Sequence, residues 1–346
     1  MQHHQPRIAW VDFIRSLSVF FVVLIHTAGP ISYEWGEISI RDWMTGNAFS
    51  SFSRFSVSLL FMVSGYLLLN KREDLASFFR NRLLKVLLPF LGWSVVYLVW
   101  EHGYRDFSFF NALKAIVYAI STTPAAYHMW FLYELLYIYL FTPVLRVFVQ
   151  AADRAHLWYF AGIWFLMGPV LIMIERMVGL ELIVNLGFIT QYVGFFFLGH
   201  LLGNTSLPRN FFVTALVVYF LSGLYTMYAT FTLTSIKGAS DQYYYWYDRI
   251  NIVFMSISAF LLLKQWGSSL TSPRAIRIFE FLARTSFGIY LVHVLVLIYV
   301  KRAGLTVFSG PLIMTVPGIS LLVWGISLVV VVILQRIPLV RRFVPY

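Results

Sequence analysis

The sequence predicts an all-α, polytopic integral membrane protein with about ten transmembrane helices and both termini in the cytoplasm. Three observations predict it. Hydrophobic residues make up 60% of the chain and charged residues only 12%, with a mean hydropathy of +0.75, a composition that belongs in a bilayer. Apolar stretches close to the length a bilayer needs recur from one end to the other. Lys and Arg fall unevenly on the loops between them. Membrane spans consume the 346 residues, so one transmembrane domain over 1–346 is expected, without a sizeable soluble domain. The sequence has no cysteine, which excludes disulfides, thiol nucleophiles and Cys-ligated zinc. The net charge of +11 reads as a topology signal, and no nucleic-acid partner is expected.

Ten spans are read at 8–28, 52–69, 83–101, 128–149, 156–174, 183–203, 210–231, 248–265, 281–300 and 313–334. With the N-terminus inside, sixteen Lys and Arg lie on the inner side and nine on the outer, while the acids run four to nine. The positive-inside rule therefore favours this orientation, and an even number of spans agrees. The opening MQHHQPR is too short for a signal n-region and no A-x-A pattern follows, so the first span is expected to be retained. The longest outer loops are read at 29–51 and 102–127, and FSFFNALKAIVYAI in the second is expected to lie on the membrane as an interfacial helix. Gly199 and Gly203 have the small-xxx-small spacing of closely packed helices.

The first span carries Asp12, Arg15 and His26. Ionisable side chains at membrane depth are costly and point to function. Arg15 and His26 are eleven residues apart, which at 100° per residue is three turns plus about 20°, so they share one helix face about 16 Å apart. Asp12 is placed to pair with Arg15. A plain reading leaves Asp12 and Arg15 in the inner headgroup layer, but it does not account for His26 on the same stripe.

Further polar residues mark other spans. The second begins at Arg54 and carries Ser64 near its inner end. The stretch after it, read as an inner loop, holds Lys71, Arg72, Arg80, Arg82 and Lys85 against Glu73 and Asp74; this is either topology alone or a polyanion site. The fourth opens with His128 and Trp130 and carries Glu134 about two turns deeper, where an acid needs a partner. The ninth carries Tyr290 and His293. Five consecutive aromatics, Tyr243 to Tyr247, form an outer belt or a stacking surface for a sugar or isoprenoid.

These residues fall in five motifs that resemble those of acyltransferase family 3, the integral membrane acyltransferases. Asp12 to His26 resembles the opening Asp-x-x-Arg and distal His, SLLFMVSGYLL the second-span Phe-Phe-x-x-Ser-Gly motif, and FFRNRLLKVLLPF the basic motif before the third span. YHMWFLYELLYIY resembles the His-x-Trp-Phe-Leu signature and SFGIYLVH the closing Ser-Phe-x-x-Tyr-Leu-x-His. The order is kept over nearly the whole chain. Lys85 stands where many members have arginine, and no hydrolase-like domain of the kind fused to some members is expected.

The resemblance implies O-acyl transfer, most simply O-acetyl transfer, from cytoplasmic acetyl-CoA to a hydroxyl of a glycan or lipid-linked saccharide. His26 is then the expected general base, Arg15 a donor ligand, Asp12 its orienter, and Glu134 an orienter of base or acceptor. Arg54, His128, Trp130, Tyr290 and His293 are candidate substrate contacts. Arg72, Arg80, Arg82, Lys85 and Ser64 are candidate coenzyme A contacts. No metal is expected. Three alternatives stay open at this point: a transporter with a relay through Arg15, Glu134 and His293, a non-catalytic scaffold, and a metal site of His26, His128 and His293. The oligomeric state is not encoded in any motif.

Overall fold

The computed structural model describes residues 8–102, 110, 113, 116–117, 124–179, 192–206, 208 and 211–345. The described residues form helices and connecting turns, with no strand among them. The helices are α1 (Ala9–Ala28), α2 (Ile40–Ser53), α3 (Phe55–Leu69) and α4 (Leu75–His102), then α5 (Trp130–Ala151), α6 (Arg154–Phe165), α7 (Leu171–Val178) and α8 (Tyr192–Gly203). They end with α9 (Phe211–Lys237), α10 (Ile250–Ser268), α11 (Pro273–Arg302) and α12 (Leu312–Arg336). Nine helical segments among the described residues are long and apolar enough to cross a bilayer, and α8 is a shorter apolar helix. The protein is a multi-pass, all-α membrane protein.

Local chemistry sets several boundaries. Asp153 caps α6, its carboxylate accepting the His156 backbone N–H at 2.9 Å, and Ser272 followed by Pro273 starts α11. Between α6 and α7 the chain keeps its course through a π-turn over Leu166–Val170 that contains Pro169. Proline has no N–H to give to the preceding turn, so the helix widens there instead of ending.

α1 is the central element and packs against α2, α3, α10, α11 and α12. α3 and α8 approach most closely. A Cβ on Gly65 would overlap the Phe196 carbonyl oxygen, and one on Gly199 would overlap that of Met62. Backbone meets backbone there, which is the van der Waals packing that holds helices together where lipid removes the hydrophobic drive. α9 turns Val213, Phe220, Leu221 and Tyr228 outward to lipid.

Several boundaries differ from expectation, the ninth span for instance starting at Pro273 and not 281. The second span starts at Ile40, not 52, because α2 runs into α3 through a single turn residue, Arg54. Much of the expected outer loop 29–51 is therefore helix. The expected inner loop is also mostly helix, since α4 begins at Leu75. The expected interfacial helix lies largely outside the described residues, as does the first part of the sixth span.

Candidate active site

Along α1, Asp12, Arg15, Val19, Val22 and His26 repeat at three and four residues and, with Val11, form a wall of two cavities, Val11 to Val19 lining one and Val22 and His26 the other. The basic cavity, of about 360 Å³, takes Asp12 and Arg15 from α1, Ser64 from α3, Arg82 and Lys85 from α4, Tyr139 from α5 and Ser286 from α11. The histidine cavity, of about 460 Å³, takes His26, Arg54, His128, Trp130 and Glu134, with Tyr245, Trp246 and Tyr247 of the aromatic run. Phe131 and Tyr290 line both. Their rings lie 5.2 Å apart and form an aromatic partition.

Three histidines meet on the far side of that partition. The ring centroids of His26 and His293 are 5.2 Å apart, those of His128 and His293 5.1 Å, and those of His26 and His128 6.4 Å. His293 Nδ1 lies 2.7 Å from the Tyr290 carbonyl oxygen and 3.2 Å from that of Ile289. Two carbonyls require a donor, so in the neutral ring Nδ1 carries the hydrogen and Nε2 is bare. Nε2 is enclosed without a hydrogen-bond partner among the described residues. Among those residues no group of three or more His, Cys, Asp or Glu is arranged to hold a metal ion. Tyr127 lies edge-on to His26, with ring centroids 5.1 Å apart, and Trp130 rests against Tyr192 and Tyr247 at 5.3 and 5.7 Å.

The basic mouth has a scaffold of its own. Glu73 receives Asn81 Nδ2 at 3.1 Å and ion-pairs with Arg146 at 3.4 Å and Arg82 at 3.9 Å. Arg146, buried on α5, donates Nε to the Leu68 carbonyl at 2.7 Å and lies over the Phe78 ring. Burial pushes the Glu73 carboxyl up, but the Asn81 hydrogen bond and the Arg82 and Arg146 charges outweigh it and leave the carboxyl below its ordinary range. Burial, then Arg82, presses the Lys71 ammonium down.

The structure brings most of the expected residues to one cavity or the other, but His293 is buried behind the histidine cavity and lines neither, and Arg72 and Arg80 stay apart from both. These two arginines are exposed. On a helix Arg82 and Lys85 share a face, whereas Arg80 is 200° away from Arg82. Ser64 reaches the basic cavity with its hydroxyl donated to the Leu60 carbonyl at 2.7 Å, so its free capacity is as an acceptor. Sequence reasoning placed Lys71 in the basic stretch without naming it a coenzyme A contact, and missed Tyr139 as a lining residue and Arg146 as the scaffold. It also missed Tyr97, whose ring is 5.1 Å from His128 and whose hydroxyl donates to Leu291 O at 2.8 Å. Arg146, an arginine buried among apolar spans, was the signal available; Tyr97 offered none.

A family model described as an acyltransferase domain matches residues 8–335. The chain belongs to this acyltransferase family. The acyltransferase is also similar to the succinoglycan biosynthesis protein ExoH of Rhizobium meliloti (strain 1021), at 29% identity over 170 residues, which is 43% of this chain and 45% of that protein. The match thus spans less than half the length of that curated relative. No solved structure matches the acyltransferase.

Proposed function

We propose that this membrane acyltransferase takes an acetyl group from cytoplasmic acetyl-CoA and passes it to a hydroxyl of a glycan or lipid-linked saccharide at the outer face of a bacterial inner membrane. The observation that carries the reading is the pair of cavities on one α1 stripe, meeting at Phe131 and Tyr290. The basic cavity suits the phosphates of coenzyme A, with Arg82, Lys85 and Lys71 as charge partners and Arg15 nearer the acyl end. The histidine cavity suits a saccharide, with Trp130 and the Tyr245 to Tyr247 run as stacking surface.

His26 accepts the proton of the acceptor hydroxyl as its oxygen attacks the thioester carbonyl. The carbonyl electrons move to oxygen, and their return expels coenzyme A as thiolate. The proton held on His26 then neutralises the leaving sulfur. Neither ring nitrogen of His26 hydrogen-bonds to protein among the described residues, which leaves them open to substrate. In this reading the acyl group, not the cofactor, passes the aromatic partition. Asp12 orients Arg15, and Glu134 faces the acceptor. The relative's role in succinoglycan biosynthesis supports a polysaccharide acceptor. The N-terminal run and short loops also resemble the bacterial enzyme that O-acetylates enterobacterial common antigen. The test is incubation of purified protein in liposomes with labelled acetyl-CoA and envelope glycans, with the product identified by mass spectrometry. Absence of label transfer to any saccharide hydroxyl would sink the reading.

A further inference from the structure

Among the described residues, the histidine cavity is lined by one permanent cation, Arg54. It is the single turn residue between α2 and α3, inside one continuous membrane segment. Two cations near it have acidic partners, Lys237 with Asp241 and Arg249 with Asp248. Arg54 has none among the described residues, and its Nε is enclosed without a hydrogen-bond partner. Glu134 lines the same cavity but lies beyond ion-pair distance.

The cation is deliberately held. Its guanidinium carbon is 4.2 Å from the centroid of the Tyr245 ring. Tyr245 is buried and donates its hydroxyl to Asn47 Oδ1 at 2.6 Å. Ser51 donates to the same oxygen at 2.9 Å, and Asn47 Nδ2 donates to Met227 O at 2.8 Å. Four residues from three segments thus fix one guanidinium on the cavity wall. An ionised side chain at membrane depth is costly unless something of opposite charge completes it, and a planar fork fixed by stacking is suited to a carboxylate or phosphate.

We propose that the acceptor carries an anionic group, a carboxylate or a phosphate, beside the hydroxyl that is acylated, and that Arg54 binds it. The inference rests on the acyl-transfer reading and adds the class of acceptor. The negative group docks on Arg54, which sets the neighbouring hydroxyl toward His26 in the same cavity.

The test uses the full chain in liposomes with labelled acetyl-CoA and three acceptor probes. One is a disaccharide of N-acetylglucosamine and glucuronic acid, the second is the same disaccharide with its carboxyl reduced to an alcohol, and the third is a polyprenyl-pyrophosphate-linked N-acetylglucosamine. Acetylation of the first or third at least tenfold above the second is the expected result, and which of them leads tells a sugar carboxylate from a lipid phosphate. Arg54→Gln should bring the preference ratio to within about twofold through KM for the anionic probe, and Arg54→Lys should restore part of it. Should the variants fail to fold, the wild-type protein still decides: KM for the anionic probe should rise with ionic strength while that for the neutral probe should not. Equal use of neutral and anionic probes overturns the proposal, as does a loss in Arg54→Gln that is equal for both probes and for hydrolysis of acetyl-CoA, since Arg54 would then serve the donor. If the wild-type protein neither transfers nor hydrolyses acetyl-CoA, the acyl-transfer reading fails and the proposal fails with it.

Discussion

Tyr290 donates its hydroxyl to the backbone carbonyl of His128, so the ring that separates the two cavities also fastens the entry to α5. Tyr290→Phe keeps the ring and removes the bond, and should cost about 1 kcal/mol of stability, read as a lower melting temperature in detergent. Tyr290→Ala removes the ring as well. Butyryl transfer relative to acetyl transfer should rise in Tyr290→Ala and not in Tyr290→Phe. An unchanged ratio in both would show that the partition does not screen acyl size.

His26→Ala should lower transfer to the acceptor by about a hundredfold or more, the loss expected for a positioned base, while donor binding by calorimetry stays near wild type. Arg15→Ala should show the reverse emphasis, with donor binding impaired, because the two side chains open onto different cavities. Near-native turnover in His26→Ala would pass the role of base to His128 or His293.

The basic residues should divide by helix face. Arg82→Gln with Lys85→Gln should weaken acetyl-CoA binding about tenfold or more and make the residual binding less sensitive to salt. Arg72→Gln with Arg80→Gln should change it by less than about threefold, since neither residue reaches the cavity. Equal losses in the two double variants would return the site to a diffuse charge effect.

Glu73 gives the basic mouth a pH dependence. Its folded-state carboxyl is held below the ordinary value of 4.5, so its contribution to stability is present in full above that value and is lost as pH falls through the lower, folded-state value. Melting temperatures measured on lowering the pH below about 4.5 should therefore fall less in Glu73→Gln than in the native protein. Parallel slopes would mean that other carboxylates dominate.

Gly65→Ala should destabilise the protein by about 1–3 kcal/mol, because the new Cβ would meet the Phe196 carbonyl. Solubilised protein should aggregate at lower temperature, while a neighbouring substitution of Ser64 to Ala should not have this effect.

The helical stripe of α1 was legible in the sequence because 3.6-residue periodicity needs no tertiary information: Asp12, Arg15 and His26 fall on one wall. The meeting of His26, His128 and His293 was legible only as motifs, since their proximity depends on how α1, α5 and α11 pack. The boundary at Arg54 was misread because a charge in an apolar run looks like a span end, whereas here stacking on Tyr245 accommodates it within the segment. Arg80 was grouped with Arg82 because a loop has no faces; once residues from Leu75 onward are helical, spacing separates the two, while Arg72 lies exposed before the helix begins. The partition had no local signal, being made by residues 159 positions apart, Phe131 and Tyr290.

That partition has an electrical consequence. In the proposed reading the two cavities open to opposite faces of the membrane with only the aromatic pair between them, and the transmembrane voltage falls mainly across whatever layer insulates. Moving one elementary charge through such a layer is worth about 2.3 kcal/mol per 100 mV. In the proposed transfer the acetyl group passes one way as the acceptor proton passes the other way to the leaving sulfur, an exchange that moves no net charge, whereas passage of the coenzyme A anion would. In that reading the aromatic pair serves as a dielectric seal crossed by an electroneutral exchange, so turnover should not depend on the resting potential.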